Sequence, residues 1–359
     1  MKRKKVLAVL ALVTMFLIGV PYASGQQPIL TPVKLKVSSP FPPPSIFMKS
    51  ELMQHWQEEV TKRTNGGVTF ENFWGGSLGA PAEQIELLKS GSVQMAQTDA
   101  WYTPGKFPIG DFQFSFPFGT TDRMMIIEAN RRIRAEFREW ERDEARQNAK
   151  MLIFAPGGEY TFLSTKPIRK LDDFKGQKLF LVGRYLGKWL PPGATAVVRP
   201  AGERYELLRT GVVTIDMLPM DLMYGFKHHE VAKYSIRTKI LTPCYCTIFM
   251  NVDTFNGFSP EIQKILVETA KEAEIYHAKV RVPKWIDKIE KEWKAQGVTT
   301  VELPEEERVK WANQLVDIPA EWAAEAEAKG YPGFKMVQRW QEITAELGFK
   351  WPRKWGLKK

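Results

Sequence analysis

The sequence predicts an α/β protein built as two related lobes facing a ligand cleft, and three observations carry that reading. Strand-like runs alternate with amphipathic helical runs through most of the chain. One helix–glycine–strand segment occurs twice, as Glu83 to Met95 and again as Glu203 to Ile215, sharing the pattern E-x-x-E-L-L-x-x-G-x-V. The composition, 44% hydrophobic and 26% charged over 359 residues with only two Cys, excludes a disordered polymer, a disulfide scaffold and a multi-span membrane protein, and leaves room for two globular domains.

At the N-terminus Lys2-Arg3-Lys4-Lys5 precede an apolar run from Val6 to Val20 and then Pro21-Tyr22-Ala23-Ser24-Gly25, the pattern of a cleaved secretory signal over residues 1–25. The run is short for an uncleaved anchor, and no cysteine follows it to carry a lipid. Taking the four basic residues of this segment from the formal charge of +10 leaves +6. Lys and Arg alternate with Glu along helices such as Arg131 to Arg146, so the excess marks solvated faces and no nucleic-acid stripe.

Ser45 is expected to cap a first helix with Phe47, Leu52, Trp56 and Val60 on its apolar face, and Val68 to Phe73 alternates as a strand. The first copy of the repeat follows, opened by Pro81, closed by Gly91 in a left-handed turn, and continued by a strand from Val93 to Ala96. Asp122 caps a helix expected to run to about Asn148, before a strand at Lys150 to Phe154. The second copy has the same construction, closed by Gly211. Cys244 and Cys246 fall in a strand-like segment at a spacing that disfavours a bridge, so both are read as free thiols. Ser259-Pro260-Glu261 starts a helix whose apolar stripe extends to about Gly297 with a bend at Pro283. Helices over 305–328, interrupted near Pro319, and over 334–347 follow, and the basic tail 349–359 reads as frayed surface.

The search for chemistry returns little. His55 and His277 stand alone, His228 and His229 point in different directions, and none has the i, i+4 partner a zinc helix needs. No nucleophile elbow, P-loop or dinucleotide fingerprint occurs. Asp172-Asp173 and Glu305-Glu306-Glu307 sit at helix starts, where the macrodipole explains them. The expectation is therefore a binding protein that performs no catalysis and needs no cofactor or metal. Two alternatives stand beside it: an exported enzyme on a similar two-lobe fold, and a receptor adapted to sensing.

At this level the residues resemble the DctP family, the periplasmic solute receptors of TRAP transporters. The resemblance rests on Gly76-Ser77-Leu78-Gly79, on Lys166-Pro167-Ile168 leading to Leu171-Asp172-Asp173-Phe174-Lys175-Gly176-Gln177-Lys178-Leu179, on Glu203 to Val213, on Glu230-Val231-Ala232-Lys233-Tyr234, on Asn251 and on the long helix from Ser259. It implies a periplasmic binding protein fold with lobe I at 32–152 plus 240–258 and lobe II at 153–239 plus 298–348, joined by hinge strands and by a helix over 259–297 spanning both. It further implies a periplasmic receptor, expected to be a monomer, that closes over a small organic solute and passes it to membrane permease subunits for sodium-coupled uptake.

The family usually holds a carboxylate with an arginine in the strand after its D-x-K-G-x-K motif. In this chain Phe180 occupies that place, Tyr160 stands where many members carry a second arginine, and Leu218 replaces an asparagine. The resemblance thus implies a ligand more aromatic or apolar than the usual small acid. The alternative is a small acid held by Arg184 from a new direction. Trp74, Trp101, Phe116 and Asn251 are further candidate cleft residues, and Asp216 beside aromatic rings would suit a cationic ligand.

Overall fold

The computed structural model describes residues 32–45, 47–181, 186–199, 201–240 and 245–357; of Trp101, Leu186, Ala201, Tyr245 and Cys246 the backbone alone is described. The signal segment, Cys244 and Arg184 lie outside these residues.

The strands form two separate sheets. The first contains β1 (Val33–Ser38), β2 (Val68–Phe73), β3 (Met95–Gln97), β4 (Ala149–Pro156) and β10 (Tyr245–Asn251) in the order β2-β1-β3-β10-β4. β1 runs parallel to β2 and β3, while β10 is antiparallel to both of its neighbours. The second sheet contains β5 (Tyr160–Ser164), β6 (Lys178–Phe180), β7 (Thr195–Val197), β8 (Ile215–Pro219), β9 (Tyr234–Arg237) and β11 (Thr299–Glu302) in the order β11-β9-β5-β8-β6-β7. The chain passes from the first sheet to the second through Gly157-Gly158-Glu159, and returns between β9 and β10.

The internal repeat is the same structure in both sheets. Helix α2 (Gln84–Lys89) and its counterpart α5 (Arg204–Arg209) each end two residues before a glycine at positive φ, +74° at Gly91 and +73° at Gly211. Val93 N donates to the Leu87 carbonyl and Val213 N to the Leu207 carbonyl, tying the turn back to each helix. The following strands, β3 and β8, each lie parallel to a partner, β1 and β6.

Helix α1 (Met48–Arg63) starts two residues later than a Ser45 cap would place it; its N-cap is Phe47, with no side-chain hydrogen bond. Asp122 does cap α3 (Arg123–Glu136), accepting from Met124 N and Met125 N. The expected continuation to Asn148 breaks at Phe137, whose extended backbone (φ −117°, ψ 105°) turns its ring into the core before α4 (Glu139–Arg146) begins. After α6 (Met220–Gly225) and α7 (Val252–Asn256), helix α8 (Pro260–Tyr276) is continued by a π-helical turn, His277–Arg281, and then by α9 (Val282–Ala295). The wider turn falls just before Pro283, which has no N–H to donate, so the path changes there without ending.

Helices α10 (Glu305–Gln314), α11 (Ile318–Ala328) and α12 (Gly333–Glu346) close the chain. Trp311 packs on Phe162 and Phe174 of the second half, whereas Phe112 meets Trp322 and Trp340. Gly333 is required where α12 begins, because a Cβ there would come within 2.2 Å of the Ala323 carbonyl oxygen. The basic tail is not frayed. Trp355 is buried, its backbone is held on both sides by Gln341, and Asp317 accepts from Gly356 N, so apolar burial and satisfied amides dock a segment whose charge alone suggested solvent.

Candidate functional site

In α/β sheets the carboxyl ends of parallel strands leave a crevice where ligands bind. Here those ends carry Ser38 at the end of β1 and Ser39 after it, Asp99 after β3, Phe180 in β6 and Pro219 in β8, and the chain crosses between the sheets at Gly157-Gly158-Glu159.

Phe180 and Asp216 are register partners in β6 and β8 and share a face. Phe180 is fully buried in a cluster with Leu163, Leu208, Val213, Ile289 and Trp293, and its ring carries the guanidinium of Arg204 at 4.2 Å. Arg204 pairs with Asp216, and His228 Nδ1 lies 3.0 Å from the other Asp216 oxygen. Burial lowers the Arg204 pKa from its ordinary value, with Asp216 and then Tyr160 acting in the opposite sense. A guanidinium stays charged under such a shift. A cation therefore stands next to position 180 although the strand residue itself is aromatic.

Tyr160 opens β5 on the opposite face from Phe180, half-buried, with the Phe114 ring 6.5 Å away edge-on. Leu218 is half-buried against the Phe180 cluster. Tyr160 is near enough to act on the charge of Arg204, while Leu218 packs against the Phe180 cluster on the other face.

Other expected site residues do not join them. Asp216 is buried and already paired with Arg204, which leaves no free charge for a cationic ligand. Phe116 is core, among Phe112, Trp340 and Trp351. Asn251 is a structural cap: it accepts from Thr254 N and donates to the Leu88 carbonyl. It ends β10 opposite Ala149, at the far end of the sheet from the crossing. Trp74 lines a shallow open groove between α1 and β2, where Gln57 and Asn72 exchange hydrogen bonds at 2.8 Å. Trp101 follows Asp99 directly in the backbone, but its side chain, like Arg184, lies outside the described residues.

Sequence reasoning missed Arg204. The signal was present in the repeat: Arg204 matches Gln84, and both are polar residues one turn before a buried leucine, on the inward stripe of a short helix. It also missed a second group at the crossing. Arg123 donates to the Gly157 carbonyl at 3.1 Å and lies 4.0 Å from Glu159. Lys49, in the first turn of α1, is buried with its ammonium over the rings of Phe41 and Phe47, at 5.9 and 5.8 Å. Near it, burial pushes Asp99 up to about 6 against the opposing charge of Lys49, and raises Asp221 in the same way. Burial also pushes His277 down to about 3, reinforced by Arg281, Arg123 and Lys49. Among the described residues no three His, Cys, Asp or Glu side chains are grouped to hold a metal.

Two sheets, a strand crossing between them and buried charges at the crossing define a two-lobed solute receptor. The profile of the bacterial extracellular solute-binding protein family 7, DctP, matches residues 42–325, and the chain belongs to that family. A solute-binding protein of Sulfitobacter sp. NAS-14.1 is 23% identical over 67% of this chain and 73% of its own length. The fold is also that of solved structures. A TRAP solute-binding protein of Rhodoferax ferrireducens, in complex with copurified benzoate, has a TM-score of 0.75 at 21% identity, over 88% of this chain and 98% of that one. One of Desulfovibrio salexigens, with bound orotic acid, has a TM-score of 0.72 at 22% identity, over 88% and 99%. The family is one of extracytoplasmic receptors. No helix among the described residues is long and apolar enough to cross a membrane.

Proposed function

We propose that this chain is the receptor of a TRAP transporter that closes its lobes over a small organic acid with an aromatic or apolar body, held by Arg204 and delivered to the membrane permease subunits for sodium-coupled uptake. The observation that carries the reading is the Arg204 guanidinium stacked on the buried Phe180 ring. Among the described residues, the hydrogen bond the guanidinium makes is with Asp216, through one nitrogen. A planar guanidinium has five donors, and stacking fixes its plane, so the rest suit a carboxylate. Phe180 then acts beneath the cation and does not line the pocket, while Tyr160, Phe114 and Leu218 offer the apolar wall. The benzoate and orotic acid of the two solved relatives are carboxylates on flat rings and fit the same chemistry.

The test is a thermal-shift and calorimetric panel. Benzoate and hydrocinnamate should raise the melting temperature through binding linkage, and succinate and malate should do so less. Arg204→Met should abolish the benzoate effect. Retention of benzoate binding in Arg204→Met, with loss in Arg184→Ala, would transfer the anchoring role to Arg184; failure of every acid would sink the reading.

A further inference from the structure

Helix α9 turns its acids aside and leaves its lysines free. Val282, Ile289 and Trp293 are its buried residues, and the last two pack into the Phe180 cluster of the second half. Lys284, Lys288 and Lys291 stand at i, i+4 and i+7, so they share one face, and all three are exposed. Lys279 before them and Lys294 after them are exposed as well. None of the five has an ion-pair partner among the described residues. Two carboxylates of the same helix are drawn elsewhere: Glu290 pairs with Arg237 of β9, and Glu292 accepts from the Tyr224 hydroxyl. Asp287 is the one acid that stays exposed beside the row. On other helices exposed basic residues are neutralised within a turn, as Arg132 is by Glu128, Arg209 by Glu206 and Lys310 by Glu307.

Aromatic and apolar side chains accompany the row. Tyr276 and Val280 are 41% and 45% exposed. The Arg281 guanidinium lies 5.4 Å from the centre of the Tyr276 ring and 3.8 Å from Glu51, to which Trp285 also donates. The Lys288 ammonium lies 5.2 Å from the Trp285 ring and 5.7 Å from that of Tyr224. These contacts join Tyr276 to Lys288 in one continuous strip along the helix that runs from the first half to the second.

We propose that this strip is a membrane-docking surface, which holds the receptor on anionic phospholipid headgroups with Tyr276 and Val280 entering the headgroup layer. Lysine is a hydrated point charge on a flexible stem and lacks the fixed fork that an arginine presents to a single carboxylate or phosphate. A row of such charges suits a diffuse negative field, and tyrosine and aliphatic side chains beside it suit a boundary that is apolar on one side and wet on the other. The inference does not depend on which solute the cleft takes. A receptor held in this way would meet a membrane partner by diffusion along the surface.

The test is co-sedimentation of the receptor, purified from the periplasm, with vesicles of phosphatidylcholine with and without phosphatidylglycerol. Binding should require phosphatidylglycerol and weaken as added salt shortens the Debye length. Lys284→Gln with Lys288→Gln and Lys291→Gln should weaken it roughly a hundredfold, at about fivefold per lysine. Lys329→Gln with Lys350→Gln and Lys354→Gln removes the same charge from exposed positions elsewhere and should change it by less than about threefold. Tyr276→Ser with Val280→Ser should weaken binding by about tenfold while leaving its salt dependence unchanged. All variants should melt with the wild type, because the changed side chains are exposed or half-exposed. If the first triple variant melts early, Lys284→Gln with Lys291→Gln spares the ring contacts of Lys288 and should still cost roughly twentyfold. Equal losses in the two triple variants would reduce the effect to net charge and overturn the docking surface. Absence of binding to the mixed vesicles, or equal binding to phosphatidylcholine alone, would overturn it too. Unchanged binding in the Tyr276 and Val280 variant would overturn their entry into the headgroup layer. Retention on immobilised polyglutamate without vesicle binding would make the partner an acidic protein segment and end the membrane reading.

Discussion

Arg204 has two roles that a pair of variants can separate. It neutralises Asp216, which is wholly buried, and under the proposed function the remaining donors of its guanidinium hold the solute's carboxylate. Removing one member of a buried ion pair leaves an uncompensated charge and costs about 3–5 kcal/mol, whereas replacing both by apolar groups of similar size is often neutral. Arg204→Met should therefore lower the chemical-denaturation stability by several kcal/mol, and Arg204→Met with Asp216→Leu should recover most of it. Neither should recover benzoate binding. An equally stable single variant would mean that the Arg204–Asp216 pair does not hold the fold. The sequence exposed the vacancy at Phe180 but not what fills it. A family motif names the strand position, while the cation arrives from the next helix and is recognised only once β6 and β8 place Phe180 against Asp216.

The helices show a similar division, and Glu274 of α8 makes it measurable. Its oxygens accept from Phe154 N in β4 at 2.8 Å and from Arg131 of α3 at 2.7 Å, so one carboxylate clamps two helices to the first sheet. Burial nonetheless raises its pKa from 4.5 to about 7, outweighing the hydrogen bond from Phe154 and the charge of Arg131. The folded state thus holds a proton that the unfolded state releases. The associated stability is fully present below about 4.5 and is lost as the pH rises through about 7, on the order of 3 kcal/mol in total. In denaturant melts from pH 5 to pH 8 the wild type should lose stability, and Glu274→Gln should flatten that loss; a parallel profile for the two would exclude the clamp as its origin. Periodicity located α8 by its Ser259 cap and Pro260 start, and the repeat located α2 and α5. It missed the break at Phe137 and the docking of Trp355, because both depend on a core formed by distant segments, Phe112 with Trp140 in one case and Gln341 in the other.

At the scale of the whole molecule, the two halves meet through a contact that helix α1 makes with α9. Helix α1 belongs with the first sheet: Trp56 is buried against α8 and donates to the Leu266 carbonyl. Helix α9 belongs with the second, through Ile289 and Trp293 in the Phe180 cluster. Between them Trp285 Nε1 donates to Glu51 at 2.8 Å, with Arg281 3.8 Å from the same carboxylate. The ion pair is partly exposed and screened, so the indole hydrogen bond is the larger contribution, about 1 kcal/mol. If ligand binding is coupled to lobe closure, a bond that exists only in this arrangement adds to affinity without touching the ligand. Glu51→Ala should then weaken benzoate binding roughly fivefold. The measurement pairs calorimetry with small-angle scattering: the wild type should contract when benzoate is added, and the variant should contract less at the same saturation. Unchanged affinity together with unchanged contraction would show that Glu51 and Trp285 decorate the junction without contributing to closure. A contraction lost at unchanged affinity would instead separate closure from binding.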